Sequence, residues 1–234
     1  LILLNKADLA DDARTKAWHA YFKEKGFFVL SINARTKESM KVIQNIVLEA
    51  CKEKIERDRK RGIINRPVRA MVVGIPNVGK STFINSYAKK ACTKTGNKPG
   101  VTKGKQWIKL SNVLELLDTP GILWPKFDDQ TVGENLAITG AIKDAVVDIE
   151  ELACILCSRL RQYYPNELAS RYKLGDMSQY DDMNDYELLC EIGRKRGFLI
   201  SGGEINTERT ANVLIDEFRA AKIGRITLDK IEQK

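Results

Sequence analysis

The sequence predicts an α/β fold, a mostly parallel sheet flanked by helices, with an all-α bundle following it. Two observations predict the first part: short apolar, β-branched runs recur through it, and stretches of helical spacing separate them. A third predicts the second part, because from about residue 148 onward the apolar pattern is helical throughout. The implied division is 1–145 for the α/β unit and 146–234 for the helical unit.

In chain order, Leu1, Ile2, Leu3 and Leu4 read as a short buried strand that ends in Asn5-Lys-Ala-Asp8. That tetrapeptide fits NKxD, a guanine-reading motif. A carboxylate at Asp8 can accept from both the ring N–H and the exocyclic amine of guanine, a pair that adenine does not offer. Asn5 would hold the loop and touch the base edge, while the Lys6 stem would lie over the ring face. The same residues also suit a plain turn into the next helix, where Asp11 and Asp12 are helix-start types. Their weight as a motif depends on a phosphate site elsewhere in the chain.

A helix is expected over about 11–25. It carries the single histidine, His19, among Trp18, Tyr21 and Phe22, which suits a packed helix residue better than a base. Residues 27–30 form the next strand. It ends in Ser31-Ile-Asn-Ala34, where GTPases carry a small loop whose backbone N–H touches the guanine carbonyl; Ser31, Asn33 and Ala34 are the candidates. One helix is then expected over about 37–61, with Gly62 as its C-cap. Between Lys52 and Arg69 stand eight basic and three acidic residues. Contact with RNA phosphates and a solvated helix end both fit that run.

Residues 68–73 give a buried strand feeding Gly74-Ile-Pro-Asn-Val-Gly-Lys-Ser-Thr82, and helical spacing follows from Phe83. Strand, glycine loop and helix are the context in which GxxxxGKS binds phosphate. Gly74 and Gly79 let the backbone N–H groups of the loop, Asn77, Val78 and Gly79 among them, turn inward. The helix beginning near Lys80 adds the positive end of its dipole. Lys80 reaches terminal phosphates, the Ser81 hydroxyl is placed for magnesium, and Thr82 completes the first helical turn.

The polar, Gly- and Pro-rich stretch 92–102 reads as a loop, with Thr102 placed to meet magnesium through its hydroxyl and the γ-phosphate through its N–H. Strands at 106–110 and 113–117, joined at Ser111-Asn112, form a hairpin. The second ends in Asp118-Thr-Pro-Gly121, a DxxG motif in which Asp118 holds magnesium through water and the Gly121 N–H senses the γ-phosphate. The motif order is unusual, because NKxD precedes the glycine loop by about seventy residues. Loops at strand ends can still meet around one ligand whatever their chain order, so the α/β unit is expected to be a circularly permuted P-loop GTPase domain.

Composition narrows the classes. With 43% hydrophobic and 30% charged residues the chain suits a soluble globular protein, and no apolar run reaches the roughly 20 residues of a membrane span. The absence of a secretory signal leads us to expect a cytoplasmic protein. Five scattered cysteines, Cys154-Ile-Leu-Cys157 included, read as reduced thiols on helix faces rather than a metal shell. Residues 1–145 hold 26 Lys and Arg against 15 Asp and Glu, whereas 146–234 hold 13 against 16. The basic first part suggests a polyanionic partner such as RNA. In the second part, Arg194, Lys195, Arg196, Arg209, Arg219, Lys222 and Arg225 either form one basic face or are scattered solvated charges.

Together these runs resemble the bacterial ribosome biogenesis GTPase A family, as do Pro99-Gly-Val-Thr102, Asp118-Thr-Pro-Gly-Ile-Leu-Trp-Pro-Lys-Phe127, Gly140-Ala-Ile-Lys-Asp144 and Ser201-Gly-Gly-Glu-Ile-Asn206. The resemblance implies a GTPase that binds the immature large ribosomal subunit through its rRNA and leaves after hydrolysis; a monomer that takes GTP and GDP with magnesium is expected. From the motifs themselves, Lys80, Thr102 and Gly121 are the expected catalytic residues, with no general base identified. Two departures stand out. Family members carry a further N-terminal strand between the glycine-loop and NKxD strands, so we expect the natural protein to be longer at its N-terminus. Ile122 follows Gly121 where many GTPases place a water-orienting Gln. In several other GTPases with an apolar residue there, an Asn matching Asn77 helps bind potassium, so hydrolysis stimulated by potassium and by the ribosomal particle is expected, while a simple loop-stabilising amide fits Asn77 equally well. Two other readings stay open: a GTP-dependent RNA-binding scaffold that barely hydrolyses, and a permuted GTPase serving another RNA, for example in a mitochondrial ribosome.

Overall fold

Strand β1 (Ile2–Leu4) pairs in parallel with β2 (Val29–Ser31), placing Ile2 opposite Val29 and Leu4 opposite Ser31. These belong to a computed structural model that describes residues 1–36, 40–64, 66–88, 106–123 and 127–231. Helix α1 (Asp12–Glu24) connects the two strands and starts where the Asp11 carboxylate accepts the Arg14 N–H. His19 bonds the Val29 carbonyl through Nε2 at 3.1 Å, and Trp18 stacks on Phe22, so the histidine is a packed helix residue as its neighbours suggest. The sequence places the second strand at 27–30, but Phe27 and Phe28 lie before it and are exposed.

The helix expected over 37–61 is two helices, α2 (Met40–Ala50) and α3 (Lys52–Lys60), broken at Cys51. Helical spacing runs through that residue unchanged, so the pattern does not mark the break. Strand β3 (Val68–Val72) then leads to α4 (Lys80–Tyr87), followed by β4 (Gln106–Lys109) and β5 (Leu114–Asp118). β3 runs parallel to β5, and β4 runs antiparallel to β5. Val68, Leu114, Leu116 and Ile108 bury one face of this sheet against Phe83, Ile84 and Ile43. Each such side chain contributes about 1.5–3 kcal/mol on burial. Ile32 and Ala34, just past β2, join the same core with Leu3 and Leu30. Met71 and Trp107, which alternation turns to the other face, are more than half exposed.

The expected sheet is therefore divided into β1–β2 and β3–β5–β4. Among the described residues no strand joins β1 to β3, and strands that lack a common neighbour cannot share a ladder.

The chain divides into two units, Leu1–Trp124 with Ile231–Lys234, and Pro125–Lys230, rather than at 145. The difference comes from helix α5 (Gln130–Ile138), whose Ala137 and Ile138 are buried in the core of the second unit. That core is built by α6 (Ile149–Tyr163), α7 (Pro165–Tyr172), α8 (Asp185–Lys195) and α9 (Thr207–Arg219) around Leu156, Leu160, Leu168, Leu188 and Leu214. Asn184 and Glu187 form a capping box that starts α8, and Pro165 occupies the first turn of α7. Cys157 is fully buried and Cys154 half-buried; burial pushes both thiols up.

Arg219 does not contribute to a basic face. Its guanidinium donates to the carbonyls of Ala137 and Ile138 and pairs with Asp144, satisfying the open carbonyls at the end of α5. Arg196 is likewise tied to Glu217.

Glu217 is the buried polar centre of this unit. Its carboxylate accepts from Arg171 Nε and Tyr172 Oη, each at 2.9 Å, and from Arg196. The Arg171 hydrogen bond, against the opposing cost of burial, holds its pKa below the ordinary 4.5. We expect Glu217→Ala to cost about 3 kcal/mol, because it strands two guanidiniums and a hydroxyl. Since the folded pKa is depressed, this stabilisation is present above pH 4.5 and is lost as pH falls through the folded value. Urea titrations of both proteins between pH 7 and pH 3 check this, and a stability difference that does not narrow in acid would contradict it.

Candidate nucleotide-binding site

The phosphate loop leaves β3 after Val72 and closes on α4 at Lys80. Gly79 makes the closure with φ +93°, and a Cβ there would fall 2.4 Å from the Asn5 amide nitrogen. Glycine is required twice over, by the backbone conformation and by that approach. Asn77 holds φ +62°, a left-handed conformation that Asn tolerates better than most residues. Lys80 turns back over the loop, donating from Nζ to the carbonyls of Gly74 at 2.9 Å and Ile75 at 2.8 Å. Partial burial lowers its pKa, and the nearby Asp118 charge opposes that shift.

The DxxG strand end lies against this loop. Asp118 is fully buried, and its Oδ2 accepts from the Ser81 hydroxyl at 3.3 Å. Thr119 donates from Oγ1 to the Val72 carbonyl at 2.6 Å, fixing the end of β5 to the end of β3. Gly121 passes so close to the loop that a Cβ would stand 2.6 Å from Pro76 Cα and 3.0 Å from Lys80 Nζ. A hydroxyl and a carboxylate converging beside a lysine are hard oxygen donors of the kind magnesium takes, so the residues present fit that ion.

The NKxD segment reaches the same place from the far end of the chain. Asn5 donates from Nδ2 to the Val78 carbonyl at 2.8 Å, across 73 residues of sequence. Its Oδ1 accepts the Ala34 N–H at 2.9 Å, so one amide ties β1, the loop after β2 and the phosphate loop together. Ala7 donates to the Ile32 carbonyl, and Lys6 holds φ +58°, turning the loop outward. Lys6 and Asp8 are exposed on that loop. In the second loop the Ala34 N–H is already used by Asn5, while Asn33 accepts from the Arg35 N–H at 2.9 Å. Ser31 closes β2, and Thr82 lies in the first turn of α4. Thr102 lies outside the described residues.

Three residues join the arrangement without a signal of their own. Tyr87 donates from its hydroxyl to the Thr36 carbonyl at 3.3 Å, linking α4 to the loop after β2. Pro76 packs on Gly121, and Thr119 bonds Val72. Only Thr119 and Pro76 stand inside motifs; Tyr87 reads in sequence as an ordinary aromatic on a helix.

Comparison with known proteins agrees with this geometry. Residues 69–174 match the family described as 50S ribosome-binding GTPase. The chain is 47% identical to the ribosome biogenesis GTPase A of Bacillus cereus over 233 residues, 100% of this chain and 77% of that one. It is 46% identical to the same protein of Priestia megaterium, covering 98% and 78%. Among solved structures, GNP-bound YlqF from T. maritima matches with a TM-score of 0.60 at 26% identity, covering 98% of this chain and 81% of that one. GDP-bound YlqF matches equally well by TM-score. A phosphate loop tied to the DxxG strand through Ser81 and Thr119 and to the NKxD loop through Asn5, and sequence identity this high along the whole chain, place it in the ribosome biogenesis GTPase A family: it is a GTPase of ribosome biogenesis.

Proposed function

We propose that this GTPase is circularly permuted and acts as a switch in assembly of the large ribosomal subunit, contacting its rRNA and released by GTP hydrolysis in the cytoplasm. The observation that supports the reading is the hydrogen bond from Asn5 to the Val78 carbonyl, which ties the loop carrying NKxD to the glycine loop across 73 residues. Asp8 reads the guanine edge and Lys6 covers the ring, with Ser31, Asn33 and Ala34 bordering the base. Asn77, Val78, Gly79, Ser81 and Thr82 surround the phosphates, Lys80 neutralises their charge, and Gly121 and Thr102 sense the γ-phosphate. Magnesium held by Ser81, Thr102 and Asp118 would supply further charge neutralisation on the phosphates. Among the described residues no helix is long and apolar enough to cross a membrane.

Ile122 is 75% exposed and carries no group able to orient water. It supports a rate that is low in the isolated protein and raised from outside, by potassium near Asn77 and by the ribosomal particle. The experiment is phosphate release from GTP in potassium and in sodium, with and without large-subunit precursor particles. We expect the highest rate with both potassium and particles. Equal rates in all four conditions would favour the scaffold that barely hydrolyses.

A further inference from the structure

At the end of β3 and β5 opposite the phosphate loop, the first unit carries a groove of about 740 Å³. It opens between α3, the linker into β3 and the β4–β5 hairpin. Ile55, Ile63 and Val113 give it apolar walls, and Lys54, Arg59, Arg66 and Lys109 carry its positive charge. Two acids, Asp58 and Glu115, also line it, and Glu115 is taken by Arg69 at 2.9 Å.

The charge beside this groove is positive in balance, eight basic residues against three acidic ones between 52 and 69. All eight basic residues between 52 and 69 are exposed. Among the described residues, Arg69 alone of the eight forms an ion pair. An excess of exposed cations on one short helix and its linker, seven of the eight in no ion pair among the described residues, suits a polyanion. Apolar walls inside the cationic rim add a second property. Single-stranded RNA splays out unstacked bases, whose apolar faces can be covered by such walls, while its phosphates meet Lys and Arg.

We propose that this groove binds a single-stranded segment of RNA, with phosphates along Lys54, Arg59, Arg66 and Lys109 and one unstacked base between Ile55, Ile63 and Val113. The inference rests on the rRNA contact proposed above and names its surface in the first unit. That surface lies away from the nucleotide, so RNA and GTP can be held at once.

The test is a triple variant, Lys54→Glu with Arg59→Glu and Lys109→Glu, titrated against labelled deproteinised large-subunit rRNA and a labelled uridine 16-mer over a salt series. All three positions are exposed, and GTP binding by the variant serves as the folding control. We expect RNA affinity about tenfold lower or more, and a salt slope shallower by about two, since each phosphate contact on a single strand contributes roughly 0.7. GTP affinity should be unchanged. Unaltered RNA affinity and slope would overturn the inference while leaving the ribosomal reading intact. Loss of binding to the ribosomal particle but not to naked rRNA would overturn it in favour of a protein partner. If the unsubstituted protein bound neither rRNA nor particles, the inference and the ribosomal reading would fall together.

Discussion

Asp8→Asn is expected to lower GTP affinity about 100-fold and to raise affinity for xanthosine triphosphate. A carboxylate accepts from two guanine N–H groups, and each such charged hydrogen bond is worth about 1.5–3 kcal/mol. The Asn amide keeps one acceptor but turns an NH₂ toward the exocyclic amine, donor against donor. Xanthine carries a carbonyl at that position, which the same NH₂ can serve. Asp8 is exposed on a loop braced by the Ala7–Ile32 hydrogen bond, so the substitution should leave the fold untouched. Competition titrations with GTP, XTP and ATP read the result. An unchanged preference for GTP would remove Asp8 from the base site.

Lys80→Ala is expected to reduce GTP hydrolysis about 100- to 1000-fold, the range for losing one preorganised group facing developing charge. Its ammonium is held by the Gly74 and Ile75 carbonyls, inside the curve of the loop, and stands near the Gly121 backbone. Removing it strips positive charge from the cradle and loosens the loop's own geometry, so binding should weaken along with turnover. Single-turnover hydrolysis with saturating nucleotide separates the two effects. A variant that turned over at the original rate once saturated would assign Lys80 to binding alone.

The phosphate loop and the NKxD loop are legible in the sequence because each depends on residue types fixed by backbone geometry. Gly79 must be glycine at φ +93°, and Asn5 must offer both a donor and an acceptor. Tertiary partners are less legible. Nothing in the pattern around Cys51 marks the break between α2 and α3, since apolar spacing continues across it. Helix α5 follows the DxxG strand in sequence, yet Ala137 and Ile138 bury themselves with the helical unit, a choice made by packing and not by local propensity. Charge is equally ambiguous when read along the chain. Arg219 looks like a surface cation, but the open carbonyls at the end of α5 capture it. The eight cations between 52 and 69 look similar, and most stay exposed and unpaired among the described residues.

The convergence of Asn5 with the phosphate loop is tested most directly by a structure of this protein with a GTP analogue and magnesium. The account predicts the guanine edge about 3 Å from the Asp8 carboxylate while the phosphates lie within residues 74–82, with the Asn5–Val78 bond retained. Phosphates in the loop with the base turned away from Asp8 would contradict it.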